Sequence, residues 1–196
     1  MIEYIYGYNY GGICMGIIED ITNIDEEKSD KYNEGFHIIE KLSHINSDDR
    51  VRMIDVTEKK SNDREAIACG SIYMKLSTLE KINDGEIVKG NVFSVSQVAG
   101  IMGAKKTSEL IPMCYSTFMG ACDITFNIDY EKSKIDIIAT AKTSNETGIE
   151  MEALTAVSIA ALTIYDMCKN VDKSMIISDI KLLRKIEGKS GEFIRT

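Results

Sequence analysis

Two charged side chains near the end of a long apolar stretch have the spacing of a small reactive site. Asp166 and Lys169 lie three positions apart, so they share one face of a helix. Each group shifts the pKa of the other, and a carboxylate beside an ammonium group is suited to proton transfer. A surface ion pair at a helix end is the ordinary alternative for an isolated Asp-x-x-Lys pattern.

The stretch that contains this pair predicts a helix over residues 147–169. Glu150 and Glu152 stand in the first turn, where the helix dipole is positive, and Lys169 stands in the last turn. Small residues in the middle allow a neighbouring backbone to approach closely, and they fit either a subunit interface or plain packing against a sheet: Ala153, Ala156 and Ala160.

Several motifs of this chain resemble those of one enzyme family. GIEMEALTA at 148–156 and IYDMCK at 164–169 resemble the signature helix of cyclic pyranopterin monophosphate synthase, also called molybdenum cofactor biosynthesis protein C. Over roughly residues 44–193 the family's order is kept through HIN, MIDV, DREA, KGNVF, AGIMGAKKT, LIPMC and GKSGEF. Because several independent motifs occur in one order, the chain is identified as a member of this family.

The resemblance implies a role in molybdenum cofactor (molybdopterin) biosynthesis. Members of the family convert 3′,8-cyclo-7,8-dihydro-GTP, a cyclised and reduced GTP, into cyclic pyranopterin monophosphate and release pyrophosphate. This lyase-type reaction implies no redox cofactor. At matching positions the resemblance implies a functional Lys89 beside Asp166 and Lys169, and substrate contacts from Met113, Cys114, Tyr115, Glu150, Met151 and Glu152.

A triphosphate substrate requires several cations. Lys89 immediately precedes a predicted helix N-terminus, where backbone N–H groups favour anions, although a lysine there is more often simply solvated. The sequence GKSG at 188–191 looks like half a P-loop, but Leu183 stands where the Walker motif requires a glycine. The remaining candidates for binding phosphate are Arg64, Lys185 and Lys189.

The chain departs from the family pattern at two positions. The family's Leu-Cys-His-Pro stands here as Met-Cys-Tyr-Ser at 113–116, so Tyr115 replaces a functional histidine. The family's Gly-Lys-Thr-Gly stands as Asn-Glu-Thr-Gly at 145–148, so Glu146 replaces a lysine. Both changes remove positive charge beside an anionic ligand. An alternative function is therefore a diverged, non-catalytic or altered-substrate member that binds a nucleotide or pterin.

Charge is distributed unevenly along the 196 residues. Residues 1–43 contain nine acidic residues and three lysines and hold −6 of the net charge of −8. This segment lies outside the resemblance and predicts an accessory extension, a β-hairpin followed by a charged helix or linker; residues 44–196 form the synthase-like domain. A structural protein that binds a partner through the acidic segment is a third interpretation. No basic stripe with interleaved aromatic residues supports nucleic-acid binding.

Composition bounds the class of protein. Apolar residues at 44% and charged residues at 28% are typical of a globular domain. The five cysteines form no C-x-x-C pair, which argues against a disulfide framework and a metal site. The chain has no basic N-terminal start and no apolar run that we expect to span a bilayer. We therefore expect a cytoplasmic protein without membrane contact.

Periodicity predicts the elements that position these residues. Alternation predicts strands over residues 64–76, 117–129, 135–143 and 174–186. Ser77 and Glu80 fit a capping box for a short helix. A second helix over residues 91–106 has Asn91 as its N-cap and an apolar stripe of Val92, Val95, Ala99 and Met102.

This mixture of elements predicts an α+β sandwich, an antiparallel sheet with helices on one face. The resemblance implies the ferredoxin-like version of that fold. It also implies a homohexamer, a trimer of dimers with sites at subunit interfaces.

Overall fold

The computed structural model of the chain describes Met53, Val56, residues 61–187 and residues 191–195. The predicted extension over residues 1–43 and the turn residues 188–190, which include Lys189, lie outside that part. The described strands are β1 (Asn62–Tyr73), β2 (Ala121–Asp129), β3 (Lys134–Asn145), β4 (Ile176–Glu187) and β5 (Gly191–Ile194). The described helices are α1 (Leu76–Asn83), α2 (Val92–Lys105), α3 (Thr107–Leu110) and α4 (Glu150–Cys168).

The five strands form one antiparallel sheet in the order β2-β3-β1-β4-β5. Helix α4 packs against β1, β3 and β4, while α2 packs against α4 and β2, so both long helices cover the same face. The order β1, helices, β2, β3, α4, β4 is that of a ferredoxin-like sandwich. The predicted α+β fold with helices on one face is confirmed.

Small residues set the distance between the helices and the sheet. A Cβ atom at Gly70 of β1 would lie 2.7 Å from Val157 Cγ1 of α4, and one at Gly100 of α2 would lie 2.8 Å from the Ala156 carbonyl oxygen. Ala156 and Ala160 have no exposed surface. The small-residue face of α4 therefore packs inside the protomer, which decides between the two roles that the sequence left open.

Helix α2 begins as predicted but buries a different face. Asn91 is its N-cap, and its side-chain oxygen accepts a 2.8 Å hydrogen bond from the Ser94 backbone N–H. The predicted apolar stripe is wrong, because Val95 is 44% exposed and Met102 is 55% exposed. The close approach to α4 requires small residues instead, and the buried face consists of Val92, Ser96, Gly100, Gly103 and Ala104.

The capping box predicted for α1 is also wrong. The N-cap is Lys75, which makes no side-chain capping bond. The buried carboxylate of Asp172, from the loop after α4, accepts hydrogen bonds from the Lys75 backbone N–H at 2.9 Å and the Thr78 hydroxyl at 3.3 Å. A residue 97 positions away thus satisfies the helix start, and local sequence does not reveal it.

The strand bounds differ from prediction: β1 covers Asn62–Tyr73 instead of 64–76, β3 covers Lys134–Asn145 instead of 135–143, and β4 covers Ile176–Glu187 instead of 174–186. Strand β2 begins at Ala121 instead of residue 117, because Phe118 and Gly120 form single hydrogen bonds to β3 outside the regular strand pairing. The Thr143 hydroxyl donates to the Phe118 carbonyl at 2.5 Å, and the Gly120 N–H donates to the Lys142 carbonyl at 2.9 Å. Strand β5, which the sequence analysis missed, pairs antiparallel with the end of β4.

Helix α4 is long and apolar enough to cross a membrane by length and composition, contrary to expectation. Half of its most apolar 18-residue window is buried inside the protein. Its apolar character is accounted for by packing, since its buried side chains belong to the main core between the helices and the sheet.

Candidate active site

The predicted site residues lie mainly at the two ends of α4. Glu150, Met151 and Glu152 occupy its first turn, and Asp166 lies in its last turn. Asp166 lies fourteen positions after Glu152, which corresponds to about 21 Å along a helix. A single protomer therefore brings these residues together as two separate groups.

The first group, the C-terminal cluster, consists of Lys89, Asp166 and Lys169. Lys89 Nζ, from the loop before α2, donates to the Asp166 backbone carbonyl at 2.7 Å and to Asp166 Oδ2 at 2.9 Å. Lys169 Nζ lies 2.6 Å from Asp166 Oδ1. All three side chains are partly open to solvent. Two ammonium groups thus share one carboxylate, which leaves one net positive charge.

The charges in this cluster fix its protonation. The hydrogen bond from Lys169, followed by that from Lys89, lowers the pKa of Asp166 to about 2. The same hydrogen bond raises the pKa of Lys169. Asp166 and Lys169 are therefore both ionised at neutral pH, and the pKa values of this predicted acid/base pair are pushed apart.

The second group, the N-terminal cluster, consists of Arg64, Glu150, Lys185 and Glu187. Lys185 Nζ lies 3.0 Å from Glu150 Oε1 and 2.5 Å from Glu187 Oε1. Burial acts to lower the pKa of Lys185, but hydrogen bonds with Glu187 and Glu150 raise it overall. Arg64 donates to the Asn145 and Glu146 backbone carbonyls at 2.9 and 3.0 Å. Arg64 thereby holds the loop before α4 in place.

The loop that contains Cys114 and Tyr115 faces the buried Glu152 carboxyl. Glu152 is 6% exposed, and burial, together with the nearby Glu150 charge, raises its pKa against the effect of a backbone hydrogen bond. Burial and the Glu152 charge also raise the pKa of the Cys114 thiol. The Tyr115 hydroxyl oxygen is buried and has no hydrogen-bond partner within the described part of the chain.

The remaining predicted residues surround this loop. Met113 is half-buried, and Met151 is 38% exposed at the start of α4. Glu146, where the family has a lysine, accepts a 2.6 Å hydrogen bond from the Ser61 hydroxyl, which lowers its pKa. The Thr117 and Thr147 hydroxyls, 2.7 Å apart, join the loop after α3 to the loop before α4. Met113 to Tyr115 and Glu150 to Glu152 therefore belong to one region.

A cavity of about 560 Å³ opens beside this region, and sequence reasoning did not find it. It lies where the ends of β1, β3 and β4 meet the segment before β2, and its lining includes Asp63, Arg64, Phe118, Lys142 and Ser144. Of these residues, the sequence predicts a role in the site only for Arg64. It predicts Phe118 inside a strand, so no signal in the sequence marks its side chain as exposed.

Comparisons with known proteins identify the family of this chain. The MoaC family model matches residues 53–188. The cyclic pyranopterin monophosphate synthase of Thermoanaerobacter pseudethanolicus is 59% identical over 154 residues, 79% of this chain and 98% of the relative. The synthase of Clostridium acetobutylicum is 58% identical over 80% of this chain and 97% of the relative, and that of Natranaerobius thermophilus is 48% identical over 79% and 98%. The chain belongs to the MoaC family.

Proposed function

We propose that this protein is a cyclic pyranopterin monophosphate synthase of molybdenum cofactor biosynthesis. It converts 3′,8-cyclo-7,8-dihydro-GTP into cyclic pyranopterin monophosphate and releases pyrophosphate. The observation that carries the proposal is the C-terminal cluster, in which Lys89, Asp166 and Lys169 are in direct contact. A relative of 59% identity that bears this enzyme's name favours a catalytic protein over a non-catalytic one.

The balance of charge differs between the two clusters. The C-terminal cluster has one positive charge more than negative, and it is exposed. In the N-terminal cluster, Arg64 and Lys185 face Glu150 and Glu187, so no positive charge is in excess. Phosphate therefore binds preferentially at Lys89 and Lys169, while Arg64 and Lys185 orient the loop and the first turn of α4.

Proton transfer follows from the same contacts. Asp166 is too weak a base while two ammonium groups hold its pKa at about 2. When a phosphate oxygen takes over one lysine, that stabilisation is partly lost and the pKa of Asp166 rises toward its ordinary range. The protonated Lys169 is then the proton donor to a developing oxyanion, and Asp166 is the acceptor. Substrate binding thus activates the pair.

We infer that one complete site takes residues from two subunits. The separation of about 21 Å between Glu152 and Asp166 along α4 prevents both ends from contacting one small reacting centre within a protomer. A homohexamer built as a trimer of dimers, implied by the resemblance, brings the C-terminal cluster of one subunit to the N-terminal cluster of another. Exposed apolar side chains on the outer faces of α2 and α4 support such contacts: Val95, Val98, Met102 and Leu162.

The proposed setting is the cytoplasm, where the thiols of Cys69, Cys114, Cys122 and Cys168 stay reduced. Incubation of the purified protein with the cyclised GTP intermediate tests the function, with pyrophosphate release and product formation as the readout. Turnover that Asp166→Asn abolishes supports the proposal. Binding without product contradicts it in favour of a non-catalytic member, and neither binding nor product contradicts the family function for this chain.

A further inference from the structure

Gly148 is crowded by one charged side chain of the N-terminal cluster. It lies in the loop before α4, two residues ahead of Glu150. A Cβ atom at Gly148 would overlap Glu150 Oε2, and it would lie 2.7 Å from Glu150 Cδ and 2.8 Å from Glu150 Oε1. Cβ atoms in proteins essentially never lie within 3.0 Å of such atoms. The carboxylate therefore occupies the space that a side chain at position 148 would take.

The atoms that crowd Gly148 differ from those that crowd the glycines of the core. At Gly70 and Gly103 a Cβ atom would meet apolar side chains, and at Gly100 it would also meet the backbone of α4. At Gly148 the three nearest atoms all belong to the Glu150 carboxyl group. The φ angle of Gly148 is not positive, so its backbone accepts an L-amino acid. The need for glycine is thus tied to Glu150, and not to helix packing or to a left-handed turn.

Glu150 connects α4 to the sheet from this position. Its Oε1 lies 3.0 Å from Lys185 Nζ on β4, and Glu187 Oε1 is the second carboxylate oxygen on that ammonium group, at 2.5 Å. The three side chains are between 22% and 31% exposed, so water screens their contacts less than those of a fully exposed pair. The N-cap of α4, Ile149, makes no side-chain capping bond. The contact with Lys185 therefore fixes a helix start that has no side-chain cap.

We propose that Gly148 is a positioning residue of the candidate active site. The space that it leaves beside its backbone keeps the Glu150 carboxylate on Lys185 and holds the first turn of α4 in place. That turn also carries Glu152, whose buried carboxyl group faces the loop that contains Cys114. The inference rests on the proposed function for the reaction that turnover measures, but the contact between Glu150 and Lys185 is measurable without turnover.

A double-mutant cycle tests the assignment through turnover. Gly148→Ala should lower kcat/KM by about 10- to 100-fold, because a displacement of about 1 Å in a supporting group costs up to that factor. Glu150→Ala removes the crowded carboxylate, so Gly148→Ala should have no further effect in that background. An equal loss in both backgrounds shows that the backbone requires glycine independently of Glu150, and it overturns the proposal.

Gly120→Ala is the matched control. Gly120 also lies outside the helices and strands and has no positive φ angle, and a Cβ atom there would meet only the Lys142 carbonyl oxygen, at an ordinary 3.5 Å. Turnover and melting temperature should stay at the wild-type level. If Gly148→Ala does not fold, the cycle still decides: folding that Glu150→Ala restores supports the proposal, and failure in both backgrounds overturns it.

Acylation of Lys185 tests the contact directly. Acetic anhydride reacts with an amine only in its neutral form, and hydrogen bonds with Glu187 and Glu150 raise the pKa of Lys185. Gly148→Ala should speed the acylation of Lys185 by up to about tenfold, the factor that corresponds to one pKa unit, and to the same rate as Glu150→Ala. Peptide mass spectrometry of the full chain measures the rate, with the exposed Lys173 as the internal reference.

The two readouts separate this proposal from the function on which it rests. An unchanged rate at Lys185 in a folded Gly148→Ala protein overturns the proposal, whether or not turnover is observed. Absence of wild-type turnover contradicts the proposed function, whereas acylation of Lys185 still tests whether Gly148 positions Glu150.

Discussion

The two ends of α4 present opposite environments for charge. At the C-terminal end, Asp166 is exposed and its two lysine partners leave a positive excess. At the N-terminal end, Glu152 is buried and its pKa is raised, while Lys185 is shared between two glutamates. One helix thus holds a group with an excess of positive charge and a carboxyl-rich group about 21 Å apart. The contrast supports the proposal that phosphate binds at the C-terminal cluster.

A second comparison, between Asp166 and Asp172, separates a residue placed for function from one placed for stability. It lies six residues after Asp166, and its pKa is also about 2. Burial acts to raise the pKa of Asp172, but hydrogen bonds from Ser174 and Lys75 lower it overall. Asp166 owes its pKa to lysine contacts in solvent, whereas Asp172 owes it to fixed donors in the interior. The value of the pKa therefore does not distinguish the two residues, but its cause does. The exposed lysine contacts predict a catalytic role for Asp166, and the buried donors predict a structural role for Asp172.

The largest effect is expected at the C-terminal cluster. Asp166→Asn and Lys169→Ala should each lower kcat by about 10²- to 10⁴-fold, the range for a positioned acid or base. Unfolding should change little, because both side chains are exposed. Pyrophosphate release and thermal unfolding measure the two properties, with the exposed Glu80→Gln on α1 as the carboxylate control. Near-normal turnover in either variant removes that residue from the mechanism.

Asp172→Asn should instead destabilise the fold by about 1–3 kcal/mol, because hydrogen bonds to a buried carboxylate are lost. The folded pKa of Asp172, about 2, lies below an unfolded value of about 3.9, so the stabilisation is present above that range. It is lost as the pH falls from about 4 toward 2.

Chemical denaturation at pH 7 and at pH 3 measures this effect. The difference in unfolding free energy between wild type and Asp172→Asn should shrink at the lower pH. A difference that is independent of pH shows that packing around Asp172, and not its charge, stabilises the loop.

A smaller effect is expected where the chain departs from its family. Tyr115→His restores a side chain that titrates near pH 6.5, and we expect turnover to rise on the order of tenfold, with an added pH dependence near that value. Tyr115→His with Glu146→Lys should raise turnover further if residue 146 faces the pocket, because the second change restores the lysine that the family has at this position. Pyrophosphate release by both variants is the measurement.

Tyr115→Phe controls for the hydroxyl. Because that hydroxyl has no partner within the described residues, its removal should not lower the melting temperature. If neither reversion raises turnover of the family substrate, the interpretation of this chain as a diverged synthase is wrong at these positions.

The smallest effect is expected from removal of the N-terminal extension. We propose that residues 44–196 form the functional domain, since the family match begins at residue 53. A chain shortened to begin near Lys41 should fold and bind ligand with little change in melting temperature. Light scattering and GTP binding measure the outcome. Aggregation, or loss of the oligomer, would make the extension an integral part of an interface.

The sequence alone determined the family, the fold class and most elements of this protein. Ordered motifs identify the family, alternation in β1 and β3 marks the strands, and Asn91 marks the start of α2 through a bond to a residue three positions away. These features depend on local geometry, which neighbouring residues encode. The contact of Asp166 with Lys169 was predictable for the same reason, since one helical turn places them together.

Only the tertiary structure decided the features that depend on distant residues. Asp172 replaces a local cap on α1, the glycines of α2 displace its apolar stripe to the surface, and Lys89 reaches Asp166 across 77 positions. The exposed ring of Phe118 follows from bonds between its backbone and β3. Burial and long-range hydrogen bonds are properties of the packed chain, so the division of the site between the two ends of α4 appears only in three dimensions.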